Sequence, residues 1–167
     1  MGIFLKQNLK LFLFSKSVTK SIWHEVKIVK ITEDVFKNII QSFPVAPPEH
    51  GGIIGGSNGI ITEFCYDCAG PVDQAVYEPN ADYLNELIGK WKETGVSFYG
   101  IIHSHIKDEL ELSKGDIEYI EFLMSDLDID TKIYFPIVVS DNIIPFVATK
   151  TRDSVKIERE ELCVLFR

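Results

Sequence analysis

The sequence predicts a single α/β domain with a mixed, mostly antiparallel sheet flanked by helices. Its 167 residues are about one domain in length, and 46% hydrophobic with 25% charged residues is typical of a folded globular protein. Short runs of alternating apolar residues, which predict strands, are interspersed with longer segments that carry apolar residues at helical spacing. An Asn58-Gly59 pair between two such runs is a strong hairpin signal.

The chain divides into an N-terminal arm, residues 1–20, and a domain, residues 21–167. The arm mixes apolar residues with four lysines, and its longest apolar run, residues 11–14, is too short for a transmembrane helix or a signal sequence. We interpret it as a peripheral arm or edge strand and as a candidate element for self-association or partner binding.

In the first half of the domain, the pattern predicts one strand, a helix, a hairpin and a second helix. Thr32 and Asn80 are expected to cap the two helices, and Pro44 and Gly95 are expected to end them. The predicted elements are a strand at 25–31, a helix at 32–43, strands at 52–56 and 60–66, a loop at 67–79 and a helix at 80–94.

In the second half, an apolar strand at residues 98–102 leads into the most informative stretch of the chain. A helix then starts at Ser113 and is expected to bury Ile117, Ile120, Phe122 and Leu123 or Met124 in part. Three more strands are predicted at 132–140, 143–149 and 155–158, with a tight turn at Asp141-Asn142 between the first two.

The stretch from residue 99 to residue 123 contains a pattern typical of a metal site. Side chains alternate faces along a strand, so His103 and His105 point the same way while Ser104 points to the other face. Catalytic zinc sites typically take three ligands from the protein, which leaves this pair one ligand short. Asp116, in the first turn of the following helix, is the nearest plausible third ligand, and the sequence therefore predicts a zinc site formed by these three residues.

The same residues also allow a purely structural interpretation. Ser113 and Asp116 resemble a capping box, which would start a helix with or without a metal. Two histidines near the end of a strand could be surface residues. The joint occurrence favours the metal site, because only four histidines are present and two of them stand at this spacing.

The spacing resembles the signature of the JAMM or MPN-plus metalloprotease domains, which is an upstream Glu, then H-[ST]-H, seven residues and S-x-x-D. His103, Ser104, His105, Ser113 and Asp116 match that signature without insertion. The upstream Glu of the family stands before a glycine-rich strand, and the stretch PEHGGIIGG from residue 48 to 56 is similar. Many members have proline after the second His and before the Ser, where this chain has isoleucine and leucine.

The resemblance implies a cytidine-deaminase-like architecture and a role for each residue. His103, His105 and Asp116 would hold zinc, Glu49 would serve as general base and then general acid, and Ser113 would donate a hydrogen bond to the oxyanion. Enzymes of this family cleave peptide or isopeptide bonds at the C-terminus of ubiquitin-like proteins. The chain resembles the compact prokaryotic-type members, some of which process ubiquitin-like or sulfur-carrier proteins and some of which are linked to phage defence.

Such a substrate would bring a flexible C-terminal tail, which could add as a strand to an exposed sheet edge. Three acidic residues between the predicted ligands, Asp108, Glu109 and Glu111, are candidates for contact with a basic residue of that tail, although a solvated loop explains them equally well. The alternative function is a noncatalytic MPN-type scaffold that binds partners. The complete ligand set argues against the scaffold, since scaffold members typically lack one or more ligands.

Charge and cysteine content limit the setting of the protein. A net charge of −8 argues against nonspecific binding to nucleic acid or to an anionic membrane. Three cysteines give no disulfide framework, which favours a reducing cytoplasm. Cys65 and Cys68 form a C-x-x-C that could indicate a second zinc or a redox pair, but no second Cys/His pair stands at the spacing of a zinc knuckle.

Overall fold

The computed structural model describes residues 27–44, 47–69, 77–106 and 109–166, so the predicted arm at residues 1–20 lies outside the described residues. Within these ranges, no helix has both the length and the apolar character needed to cross a membrane. The elements in chain order are β1 (Ile28–Thr32), α1 (Glu33–Ser42), β2 (Gly51–Ser57), β3 (Ile60–Tyr66), α2 (Ala81–Glu93), β4 (Ser97–Ser104), α3 (Lys114–Met124), β5 (Lys132–Tyr134), β6 (Ile137–Val139), β7 (Asn142–Ile144), β8 (Phe146–Lys150), β9 (Val155–Arg159) and β10 (Glu161–Leu165).

The strands form one mixed sheet in the order β10-β1-β3-β2-β4-β5-β8-β9, with β6 pairing with β4 and β7. Among the described strand pairs, five are antiparallel and four are parallel, which confirms a mixed sheet flanked by three helices. Strand β4 lies inside the sheet, antiparallel to β2 on one side and parallel to β5 and β6 on the other. The predicted metal-site strand is therefore a central strand.

The two faces of the sheet bury different clusters. Ile54 and Ile102 pack with α1 on one face, whereas Ile53 and Ile101 pack with α2 and α3 on the other. Because side chains alternate along a strand, His103 shares the face of Ile101 that α2 and α3 cover. Ser104 shares the opposite face.

Most of the predicted turn and helix-cap positions are confirmed. The turn at Asn58-Gly59 has positive φ at both residues, 53° and 74°, as a type I′ hairpin requires. Asn80 caps α2 by accepting a 3.0 Å hydrogen bond from the backbone N–H of Tyr83. Thr32 stands at the predicted N-cap of α1, but its side chain makes no capping hydrogen bond.

The prediction of two long strands at 132–140 and 143–149 was wrong, because a proline divides each of them. Pro136 lies between β5 and β6, and Pro145 lies between β7 and β8. Proline has no N–H to donate to a neighbouring strand, so the ladder is interrupted there. The turn between β6 and β7 also differs, since Val139 pairs with Asn142 and leaves Ser140-Asp141 as the two-residue loop.

Two further features of the second half differ from expectation. Strand β10 was not predicted, and it pairs in parallel with β1 at the edge of the sheet. Helix α3 buries Ile120, Leu123 and Met124, but Ile117 is 39% and Phe122 is 49% exposed. Helix α3 has more apolar residues than its buried face can hold, so some of them remain at the surface.

Candidate metal centre

The end of β4 is held rigidly from both sides. On the β6 side, the N–H of His103 donates to the carbonyl of Pro136 at 3.3 Å, and the N–H of His105 donates to Val138 at 2.9 Å. On the β2 side, the N–H of Ser104 donates to the carbonyl of His50 at 2.7 Å. The backbone positions of both histidines are therefore fixed by the sheet.

The side chains of His103, His105 and Asp116 converge on one point. The two Nε2 atoms of the histidines lie 2.9 Å apart, and each lies 3.2 Å from an Asp116 carboxylate oxygen. Both histidines are buried, with 8% and 7% exposure. Among the described residues, these three are the group of metal-ligating side chains close enough to share an ion. The structure thus brings together the three residues that the sequence predicted as ligands.

Asp116 reaches the histidines from the first turn of α3, where it is also part of a capping box. The N–H of Ser113 donates to the Asp116 carboxylate at 2.7 Å, and the N–H of Asp116 donates to the Ser113 hydroxyl oxygen at 3.1 Å. Burial alone would raise the pKa of Asp116, but the adjacent His103 and His105 hold it well below its usual range. The capping and metal-site interpretations are therefore compatible, because the helix cap aims the carboxylate at the histidines.

A backbone carbonyl sets the tautomer of His105. The Nδ1 of His105 lies 3.2 Å from the carbonyl oxygen of Glu109, which can only accept. Nδ1 therefore carries the proton in the neutral ring, and Nε2 keeps a lone pair that faces Asp116 and His103. A second hydrogen bond of this kind is typical of histidines that ligate metals.

Glu49 lies next to this group, two residues before β2. Its Oε2 accepts a 3.4 Å hydrogen bond from the N–H of Tyr77, and Glu49 and His105 line the same small hollow, which is open to solvent. Burial would lower the pKa of His105, but Asp116 and, with a smaller effect, the charge of Glu49 raise it. The predicted base therefore shares a hollow with one of the predicted ligands, His105.

Tyr77 and Asp67 border the site and were missed in the sequence. The ring of Tyr77 stacks on that of His103, with centroids 6.4 Å apart and an angle of 17° between the planes. The Tyr77 hydroxyl donates a 3.0 Å hydrogen bond to Asp67, whose exposure is only 5%. Burial and the Asp67 charge raise the pKa of Tyr77, so its hydroxyl remains a donor at neutral pH. The sequence contained one indication of this contact. Gly51 has no side chain, so a ring from another segment of the chain can lie over β2 at that position.

The C-x-x-C pair does not add a second metal centre within the described residues. Cys65 and Cys68 are free thiols, and Cys68 donates to the hydroxyl of Tyr83 at 3.2 Å. Burial raises the pKa of the Cys65 thiol, which lowers its reactivity. The interpretation as two ordinary reduced cysteines is favoured.

The predicted acidic contact loop is described in part. Asp108 lies outside the described residues, and Glu109 is exposed. Glu111 forms a 3.5 Å ion pair with Arg159 of β9 in which both side chains are well exposed. Leu112 packs against the core clusters beside this pair and anchors the loop that supplies the Glu109 carbonyl.

Comparisons with known proteins show a similarity of fold. No family model matches the chain, and no curated protein matches its sequence. The structure is similar to the solution structure of protein DSY2949 from Desulfitobacterium hafniense, with a TM-score of 0.59 and 14% identity over 84% of this chain and 94% of that chain. It also matches the crystal structure of AF2198, a JAB1/MPN domain protein from Archaeoglobus fulgidus, with a TM-score of 0.47 and 19% identity over 81% of this chain and 98% of that chain. At such low identity the first similarity shows the fold alone, so the functional argument depends on the residues of the site.

Proposed function

We propose that the protein is a zinc-dependent peptidase or isopeptidase that cleaves after the C-terminus of a ubiquitin-like or sulfur-carrier protein. One observation carries the proposal, namely that His103, His105 and Asp116 converge on one buried point while Glu49 and His105 line the same hollow. The match of these residues to the metalloprotease signature supports it. A reducing cytoplasm, where the three free cysteines would persist, is part of the same proposal.

The donor set fits a zinc ion. Zinc binds histidine nitrogen and carboxylate oxygen at about 2.0–2.2 Å in tetrahedral geometry, so its ligand atoms stand about 3.3 Å apart. The two histidine nitrogens lie 2.9 Å apart, and each lies 3.2 Å from one oxygen of Asp116, Oδ1 for His103 and Oδ2 for His105. Two imidazole lone pairs and a carboxylate that face each other this closely repel one another unless a cation or a proton lies between them. Three protein ligands would leave one position for water or substrate, as in catalytic rather than structural sites.

Each residue of the site then has a chemical role. The chemistry that zinc supplies in such a site is Lewis acidity, which makes water nucleophilic at neutral pH. Glu49 accepts the proton of the attacking water and passes it to the leaving amine. The hydroxyl of Ser113 donates to the oxyanion of the substrate, a contact that can lower the barrier by about 3 kcal/mol. The N-terminus of α3 adds a positive potential that favours both the oxyanion and the carboxylate of Asp116.

The surroundings of the site favour an extended protein tail as substrate. Three apolar side chains near the ligands are exposed, with Ile106 at 44%, Leu110 at 48% and Ile117 at 39%. Exposed apolar groups beside a polar centre are typical of a surface that binds another chain. Glu109 and Glu111 add negative charge to the same loop, which suits a tail with a basic residue.

The proposal is tested by metal content and cleavage measured on the same preparations. Purified wild-type protein is expected to contain about one zinc per chain, and Asp116→Ala is expected to lose it. A ubiquitin-like fusion with a C-terminal extension serves as substrate, and Glu49→Gln is expected to keep zinc but lose cleavage. Glu63→Gln is the matched control, because Glu63 pairs with Gly55, well along the strand from the Gly51 that pairs with His103.

The outcomes separate the two candidate functions. Cleavage that requires both Glu49 and Asp116 would establish the metallopeptidase. Wild-type protein that stays free of zinc after incubation with the ion would refute the metal site. A zinc-containing protein that binds ubiquitin-like partners without cleaving any of them would instead indicate the noncatalytic scaffold.

A further inference from the structure

Tyr77 covers the metal-ligating group from the side of β2. Gly51 pairs with His103 across β2 and β4, so the two residues lie side by side on the face covered by α2 and α3. A Cβ on Gly51 would stand 2.1 to 2.4 Å from three atoms of the Tyr77 ring, which shows that the ring lies directly over that glycine. In this position the ring stacks on His103. One face of the His103 imidazole is thus turned toward a phenol from the segment before α2.

Tyr77 also contacts Glu49, the predicted base. The backbone N–H of Tyr77 donates to Oε2 of Glu49 at 3.4 Å. Glu49 and His103 stand in different segments of the chain, and Tyr77 contacts both. Its ring position and its backbone position therefore affect the distance between the general base and a metal ligand.

Asp67 fixes Tyr77 in turn. The Asp67 carboxylate is 5% exposed and accepts hydrogen bonds from the Tyr77 hydroxyl at 3.0 Å, from the N–H of Asn80 at 2.8 Å and from the N–H of Ala69 at 3.2 Å. The N–H of Asp67 also donates to the carbonyl of Gly51 at 2.9 Å. These contacts tie the start of α2, the end of β3 and the start of β2 to one buried group, and Tyr77 extends that network to the site.

We propose that Tyr77 is a positioning residue that sets His103 and Glu49 relative to each other through its ring, its backbone N–H and its hydroxyl bond to Asp67. The inference rests on the proposed function, because it concerns the geometry of the same site. Loss of residues that orient metal ligands typically costs 10- to 100-fold in metal affinity or activity. Displacement of a catalytic group by about 1 Å can cost on the order of 100-fold in rate.

Two substitutions separate the contributions of Tyr77. Tyr77→Phe keeps the ring and removes the bond to Asp67, whereas Tyr77→Leu removes the ring and keeps the N–H. Tyr99→Phe is the matched control, because the Tyr99 hydroxyl accepts from Gly59 at the turn between β2 and β3, at the opposite end of β2 from Gly51. Circular dichroism and thermal unfolding of each variant show whether it folds. If Tyr77→Leu does not fold, Tyr77→Phe still decides the question.

The first readout is independent of activity. Affinity for zinc is measured by competition with a chromophoric chelator, and the visible spectrum of the cobalt-substituted protein reports ligand geometry. We expect Tyr77→Leu to bind zinc about 10-fold more weakly and to change the cobalt spectrum. Tyr77→Phe is expected to recover most of that affinity, since the stacked ring remains. The Tyr99→Phe control should match wild type in both measurements.

The second readout is steady-state cleavage. A positioning role predicts that both Tyr77 variants lower kcat, about 10-fold or more for Tyr77→Leu and severalfold for Tyr77→Phe, with little change in KM. Tyr77 variants with wild-type zinc affinity, cobalt spectrum and kcat would overturn the inference while leaving the proposed function intact. A wild-type protein that binds neither zinc nor cobalt would overturn both. Weakened metal binding in Tyr77→Leu, in a protein that cleaves nothing, would support the positioning of His103 and refute the peptidase.

Discussion

The hydroxyl of Ser104 accepts a 2.9 Å hydrogen bond from the backbone N–H of His50. Ser104 stands between the two histidines of the metal-ligating group but faces the opposite side of the sheet, where it is 6% exposed. His50 follows Glu49 directly, so this bond and the one from the Ser104 N–H tie the segment with the base to the strand with the ligands. Ser104, the middle residue of the His-Ser-His pattern, therefore supports the site from the face of the sheet opposite to the histidine side chains.

Removal of this hydroxyl should reduce stability and cleavage together. Ser104→Ala leaves the His50 N–H without its partner in a partly buried position, which we expect to lower the free energy of unfolding by about 1–3 kcal/mol. Cleavage should fall while zinc content is retained, because the histidine side chains lie on the other face. Urea unfolding and elemental analysis measure the two effects. Ser104→Thr, which keeps the hydroxyl, is the control, and equal stability of Ser104→Ala and wild type would contradict the role assigned to the bond.

Zinc should stabilise the folded protein through the metal-ligating group. A ligand at 100 times its dissociation constant stabilises the native state by about 2.7 kcal/mol. For a chain of this size, that corresponds to an increase in Tm of roughly 5–10 °C. Asp116→Asn should abolish the increase, because it removes the negative charge of a ligand. It keeps an oxygen that can still accept the hydrogen bond from the Ser113 N–H. Scanning calorimetry with and without zinc measures the shift, and a shift that persists in Asp116→Asn would place the ion elsewhere.

Gly51→Ala should displace the Tyr77 ring without changing Tyr77 itself. The added methyl would stand 2.1 Å from a ring carbon, so the ring must move. Overpacking of this kind typically costs about 1–3 kcal/mol. Gly89→Ala is the matched control, because a Cβ on that glycine of α2 meets no atom within 4 Å and should stabilise the helix by about 0.5–1 kcal/mol. Urea unfolding of both variants tests the pair, and equal stability of Gly51→Ala and wild type would show that the ring is not held there.

The sequence predicted the metal-ligating group well because its geometry is local. A spacing of two residues on a strand fixes the relative direction of the His103 and His105 side chains. The capping box of α3 fixes Asp116 in the first turn of that helix. The hairpin at Asn58-Gly59 was equally local. In each of these cases the residue types and their spacing determine the geometry without reference to distant parts of the chain.

The sequence did not predict contacts that depend on tertiary packing. Tyr77 reaches His103 from a segment that reads only as a loop, and no spacing rule relates the two positions. Strand β10 was missed because its pairing with β1 joins opposite ends of the described chain. The breaks at Pro136 and Pro145 were visible in the sequence, but the apolar runs around them outweighed the prolines in the prediction.

The loop between the ligands carries charge that the substrate would meet. Glu109 is exposed, and Glu111 pairs with Arg159 of β9, at 3.5 Å and at the surface. Exposed ion pairs of this kind contribute about 0–1 kcal/mol, so the Glu111 charge is available for other partners at little energetic cost. If a basic substrate tail binds along this loop, the interaction is largely electrostatic and should decrease with salt.

Neutralisation of both charges should therefore weaken binding of a basic tail without slowing the chemical step. We expect the double variant Glu109→Gln and Glu111→Gln to raise KM severalfold for a fusion substrate with a basic residue in its tail, with kcat unchanged. The difference should shrink when the ionic strength increases from 0.05 M to 0.5 M. A double variant on α2, Glu86→Gln and Glu93→Gln, removes the same charge from exposed positions outside this loop and is the control. An equal increase in KM in both double variants would indicate an effect of net charge, and no increase in either would exclude the acidic loop from substrate recognition.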